Sequence, residues 1–218
     1  MANGTVTKIV TCDGETLPPG TAASYTATGS GVEKHEIGGT NPVAFPAGFS
    51  GSSTEDSSGS ALITGLATGH GLTTNSKVGV FWAGGRRVGM TVSAATSTTI
   101  TVTASTGIGA TYPSPTTAVV VSPAVSLDVS FDGDSATMLV VYCDQISAVD
   151  FRDDTDTSLV NTDISDGIIA ITTANVPYAW TDTMPDPQPI TGDPVAVAKC
   201  YNGSTTAANM KIKAILDT

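Results

Sequence analysis

The feature that most limits what this chain can fold into is a period-two alternation of apolar and polar residues. It recurs along the chain while the helical period is nearly absent. In "KVGVFW", Val78, Val80 and Trp82 fall on one side and Lys77, Gly79 and Phe81 on the other. Successive side chains of a strand point to opposite faces, so this pattern marks a half-buried β-strand. No long stretch carries apolar residues at i, i+3, i+4 and i+7 without Gly, Pro or β-branched interruption. The 23 Gly and 12 Pro supply turns between many short strands. The expectation is an all-β protein.

Spacing then suggests an organisation. "TVTKIVT" opens the chain, and "ASYTATG" and "GVEKHEIGG" follow the Pro18-Pro19-Gly20 break. Thr40 to Gly59, "TNPVAFPAGFSGSSTEDSSG", reads as an extended excursion because Gly, Pro and Ser dominate it. From Ser60, "ALITGL", "KVGVFW", "RRVGMTVSA", "TTITVTA" and "TTAVVVS" form a run of closely spaced short strands, the signature of a small barrel. After "SPAVS" a second series runs from "VSLDVSFDG" to "AANMKIKAIL" with the spacing of a β-sandwich. The chain thus divides into 1–59, N-terminal strands and an extended loop joining the sandwich; 60–122, a small inserted β-barrel; and 123–218, the main β-sandwich. The last segment holds good helix formers. Yet Met210, Ile212, Ala214 and Leu216 alternate with Lys211, Lys213 and Ile215, which predicts a strand with one wet face.

The richest single stretch is Gly69 to Val92, "GHGLTTNSKVGVFWAGGRRVGMTV", with one of the two His, one of the two Trp and the adjacent Arg86 and Arg87. "AGG" offers the backbone freedom of a tight hairpin connection. Val88, Met90 and Val92 alternate on the return strand, and Trp82 is expected inside the barrel with Val78 and Val80. Arg86 and Arg87 then read as a solvated tip, with at least one on the wet face. His70 reads as a turn residue.

Charge narrows the function classes. Lys plus Arg number 9 against 20 Asp plus Glu, a net charge of −11. Nucleic-acid affinity comes largely from cations that displace counterions, so this chain has the wrong sign. Charged residues make up only 13%, against about 25% in ordinary globular domains. That favours a surface partly hidden against other copies or partners. The long segments Thr40–Gly59 and Thr181–Pro194 are accordingly expected to be ordered by neighbouring subunits. No apolar run approaches the roughly 18 residues of a membrane span, and no secretory signal pattern opens the chain.

Chemistry is sparse. Cys12, Cys143 and Cys200 match no zinc spacing, and two of them sit in apolar runs, which predicts unbridged buried thiols. Asp132 and Asp134 in "FDGDS", and Asp150, Asp153, Asp154 and Asp156 in "DFRDDTDTS", could offer oxygens to Ca²⁺. Neither matches an EF-hand loop, and Asp is an ordinary turn residue. A serine hydrolase would need His35 or His70 beside a hydroxyl and an orienting acid, and no GxSxG elbow or phosphate-cradling loop occurs. The expectation is a non-enzymatic protein with no catalytic, cofactor-binding or metal-binding residue.

The Gly69–Val92 phrase, together with "PYAWTDTMPDPQPITGDPVAVAKCYNGSTTAANMKIKAIL" from Pro177 to Leu216, resembles β-rich, Gly/Thr-rich structural proteins of tailed bacteriophages. The resemblance covers the barrel stretch and the last part of the chain and brings no catalytic residues. It implies a virion component assembled in the host cytoplasm, with capsid decoration or cement ahead of a tail, tail-tube or adaptor role. The implied partner is the phage major capsid protein, or tail proteins, and the implied state is a homo-oligomer, with a trimer favoured. A different class also stays open: a glycan-binding adhesin module in which Trp82 or Trp180 stacks on a sugar.

Overall fold

An alternating segment becomes a stable strand only when its apolar face meets a second layer, and here two kinds of layer form. The computed structural model describes residues 42–55, 59–113, 116–131, 136–152, 168–186, 188–190 and 195–217, and the backbone of short strands before them. In chain order these are β1 Val6–Thr7, β2 Thr11–Cys12, β3 Glu15–Thr16, β4 Ser24–Tyr25, β5 Val32–Ile37, β6 Val43–Phe45 and β7 Phe49–Glu55. Then come β8 Ser60–Thr64, β9 Lys77–Trp82, β10 Gly85–Ala95, β11 Ile100–Thr103, β12 Ile108–Gly109 and β13 Thr117–Pro123. The last are β14 Val125–Phe131, β15 Ala136–Cys143, β16 Ser147–Arg152, β17 Ile169–Ile171, β18 Tyr178–Thr181, β19 Val195–Asn202 and β20 Ala208–Asp217. One turn of 3-10 helix, Ala104–Thr106, is the only helical element among the described residues. The protein is all-β, and no helix among the described residues is long and apolar enough to cross a membrane.

Six strands close into an antiparallel barrel in the order β11-β8-β7-β13-β9-β10, with β10 pairing back to β11. Closure removes sheet edges, and alternate residues fill the interior. Ala61 and Ile63, Val78 and Val80, Met90 and Val92, Ile100 and Val102, and Val119 and Val121 form that core. Strand β7 corrects the sequence reading. Phe49–Glu55, expected within an extended excursion, is a barrel wall paired to both β8 and β13. It lacks apolar alternation because small residues are needed there. A Cβ at Gly51 would sit 2.9 Å from the Ile63 side chain. Ser53 is buried and shares a 2.7 Å hydrogen bond with the Tyr112 hydroxyl.

The sandwich stacks a sheet of order β14-β19-β16-β17 on one of order β18-β15-β20-β5, and β6 also pairs with β20. Leu139, Val141, Cys143, Met210 and Ile212 from one sheet meet Val149, Phe151, Ile169, Ala198 and Cys200 from the other. The final segment is a strand, but its second face is not wet. Lys211 and Ile215 are buried, and Ile215 packs with Met138 and Val140 in a separate cluster. The described part of the proline-rich segment has contacts within its own chain: the Trp180 Nε1–H donates to Asp186 O at 3.0 Å, and Gln188 Nε2 donates to Ala136 O at 2.9 Å. Ile190 is buried in the sandwich core. An apolar anchor and backbone partners inside the chain hold this described part.

Barrel and sandwich meet through a third cluster: Phe81 and Val88 from the barrel with Ala148, Ile168 and Tyr201. Backbone contacts tie the same seam. Asn202 N–H donates to Ser122 Oγ at 2.7 Å, Gly48 N–H to Ser204 O at 2.8 Å, and Ala124 N–H to Lys77 O at 2.9 Å.

Candidate functional site

The stretch that stood out in the sequence is a hairpin. Trp82 pairs with Gly85 across the two-residue connection Ala83–Gly84. The return strand does not alternate as expected, because its register shifts between Arg87 and Met90. Gly89 adopts φ 74°, a left-handed conformation that glycine takes without a Cβ clash. This bulge inserts one residue, so Met90 enters the barrel core while Val88 turns out to the junction cluster. Gly89 is doubly constrained, because a Cβ there would also lie 3.2 Å from Arg152 Nη2.

The two arginines have different work. Arg87 folds over the barrel end, with Nε donating to Ala104 O at 2.6 Å and Nη1 to Ala110 O at 3.2 Å. It clamps the 104–110 loop, so a solvated tip is the wrong description for it. Arg86 lies on the outer barrel face. The register places Ser50 opposite Val120, Val120 opposite Phe81, and Phe81 opposite Arg86. That cross-strand row runs over four strands and forms the floor of a cleft of about 660 Å³. Ile146, Thr172 and Gly203 of the sandwich make its opposite wall, and the hairpin tip makes its rim. Among the described residues Arg86 is the one charged side chain lining it.

Trp82 was expected inside the barrel. It is half-buried at the barrel's mouth, where it packs on the core and its ring lies 5.7 Å from that of Tyr112. It also lines the cleft. Trp180 fills the sandwich core. His70 is buried behind a turn and acts as a plug. Its Nδ1 accepts from Leu72 N–H at 3.0 Å, which leaves Nε2, 3.0 Å from Thr96 O, as the donor. Both ring nitrogens are thus committed to backbone. His35 lies in β5 with its Cα opposite Ala214. With both nitrogens on backbone, His70 is not placed as the base of a hydrolase, and the side chain of His35 lies outside the described residues.

Cys143 and Cys200 are free and buried, and burial raises both thiol pKa values. The Cys12 side chain lies outside the described residues. So do Asp132, Asp134, Asp153, Asp154 and Asp156. Among the described residues no group of three or more His, Cys, Asp or Glu could hold a metal ion.

Asp150 is described, and it is no turn residue. It is fully buried on β16, facing the barrel, with Arg152 forked onto it at 3.0 and 3.1 Å. Tyr201 O–H donates to the same carboxylate at 3.4 Å, and Lys199 is its register partner. Burial nevertheless pushes the Asp150 carboxyl above its ordinary 3.8, outweighing the pull of Arg152 and Lys199. The Tyr201 hydroxyl is raised too, by burial first and by the Asp150 charge second. Sequence reading missed this cluster and the Ser50-to-Arg86 row. A signal existed for the first: in "SAVDFR" an acid occupies the interior of an otherwise apolar strand.

No family model matches the chain, and neither does any curated protein or solved structure.

Proposed function

We propose that the chain is a non-enzymatic structural protein of a virion, of the capsid decoration or cement kind, which binds the shell and stabilises it. The observation that carries this reading is how the chemistry-bearing side chains are used. The ring of His70, the guanidinium groups of Arg87 and Arg152, the carboxylate of Asp150 and the indole of Trp180 all hold the chain's own architecture. A β body spending its polar groups this way suits a mechanical part. The resemblance of Gly69–Val92 and Pro177–Leu216 to phage structural proteins supports the same reading, and so does a charged fraction of only 13%. A homo-oligomer, with a trimer favoured, belongs to the proposal because local threefold axes are natural seats for such a protein on a shell.

The test is to mix the purified chain with phage shells that lack it, and with tails, then measure co-sedimentation and mass. The proposal expects saturable shell binding at a fixed stoichiometry and a higher shell melting temperature. Binding to tails alone would remove the capsid assignment and keep the structural one. A monodisperse monomer that binds neither would refute the proposal.

A further inference from the structure

Two glycines of the barrel wall are notches for side chains of the sandwich. A Cβ at Gly79 on β9 would lie 3.0 Å from the Tyr201 ring. One at Gly89 on β10 would lie 3.2 Å from Arg152 Nη2 and 4.0 Å from the Tyr201 hydroxyl. Tyr201 and Arg152 seat against the barrel there and converge on Asp150, which is fully buried on the face of β16 that Ala148 turns to the junction. Among the described residues, the other ionisable groups on this side of the sheet are Lys199, opposite Asp150 in register, and exposed Asp128 on β14. The facing barrel strands bring three cations, each turned elsewhere. Lys77 Nζ donates to Thr91 Oγ1 at 2.8 Å, Arg87 holds Ala104 O and Ala110 O, and Arg86 lines the cleft. The seam can also part without unfolding either body. The barrel strands β7 to β13 form one continuous stretch, joined to the sandwich strands only through 46–48 and Ala124.

We propose that this seam is a pH-operated latch: barrel and sandwich dock tightly while Asp150 holds a proton and part more readily once it is lost. The closed seam keeps the carboxyl from water, and opening returns it to water. Burial disfavours the charged form and outweighs the pull of Arg152 and Lys199, so the closed state binds the proton more tightly than the open one. By linkage, rising pH then favours opening, by up to about ten-fold for each pH unit between the open and closed pKa values. Above the closed-state pKa the effect levels off, and Arg152 on its glycine notch keeps the seam from falling apart. The inference concerns the seam alone and stands whether or not the chain belongs to a virion.

Two amides report the seam directly. Asn202 N–H bonds Ser122 Oγ across it, and Gly48 N–H, in the 46–48 crossing, bonds Ser204 O. The test is hydrogen exchange on the full chain by NMR from pH 4 to 7, corrected for intrinsic rates and repeated in low urea. Both amides should be protected at least ten-fold less than the ladder amides of β15 and β11, and their exchange should respond little to urea, as a partial opening does. Their protection should fall by about ten-fold or more as pH rises, and Asp150→Asn should flatten that fall. The pH series on the unsubstituted chain decides by itself if the variant fails to fold. Protection at Gly48 and Asn202 equal to that of the ladders would overturn the latch, because the seam would then open only by global unfolding. So would protection that is flat or rises with pH, or a fall that Asp150→Asn leaves intact.

Discussion

The barrel and the sandwich solve the same problem with different materials. The barrel closes on itself, and its core is neutral: paired Val, Ile and Met, with its few buried polar atoms matched locally, as in Ser53 with Tyr112 and His70 with Leu72 and Thr96. Among the described residues the sandwich sheets do not close on themselves, and the sandwich has two thiols and an indole in its core and a buried acid behind one sheet. Strands β16 and β19 are buried on both faces, one toward the sandwich core and one toward the barrel. The barrel brings apolar residues alone to the junction cluster, Phe81 and Val88 with Ile108 and Val120 packed against them. The sandwich needs it to cover Tyr201, Ala148 and the Asp150 cluster. Dependence across the seam is therefore asymmetric, with the open module relying on the closed one.

Substitutions can break or sharpen that contrast. The largest effect should come from the sandwich core: Trp180→Ala is expected to cost about 3–5 kcal/mol in urea unfolding. Trp82→Ala, half-buried at the barrel mouth, should cost only about 1–2 kcal/mol, and an equal loss at the two sites would erase the distinction. Next comes the seam. Arg152→Met leaves Asp150 buried without its fork and should cost about 3 kcal/mol, whereas adding Asp150→Leu to it should recover much of the loss. In the barrel, His70→Ala strips Leu72 N–H and Thr96 O of their partner, an expected cost of about 1–3 kcal/mol.

The smallest effect is a pH dependence. Asp150 is raised in the folded state, so between its folded pKa and the ordinary 3.8 the native protein holds a proton the unfolded chain has lost. Stability from this group is therefore present at low pH and falls as pH rises through the folded pKa. Melting curves of the protein and its Asp150→Asn variant should show the wild type gaining on the variant as pH falls through that window. A wild type that instead loses ground there would mean that Arg152 outweighs burial.

Much of this fold was legible in the residues, and the reasons are local. "KVGVFW", "TTITVTA" and "ATMLVVYC" each bury one face on a pleated sheet, and the pleat writes itself as alternation. Strand β7, "FSGSSTE", was not legible. Its inward positions are a glycine fitted to Ile63 and a serine bonded to Tyr112, 59 residues away. The outward turn of Val88 was hidden because a one-residue bulge reverses the phase, and a lone glycine in a strand gives only a weak warning of it. Lys211 read as wet because a charge on an alternating strand normally is. The cleft was least visible. Ser50, Val120, Phe81 and Arg86 come from four strands, and only the register makes them a row.

The asymmetry is the central claim, and hydrogen exchange on the Arg152→Met variant tests it most directly. Removing the fork exposes the cost of the buried acid to the strands that carry it. The account predicts that amides of Ser147–Arg152 and Val195–Asn202 lose protection while those of Ser60–Thr64 and Ile100–Thr103, across the closed barrel, keep theirs. A uniform loss across both modules, or a barrel that opens while β16 and β19 stay protected, would contradict it.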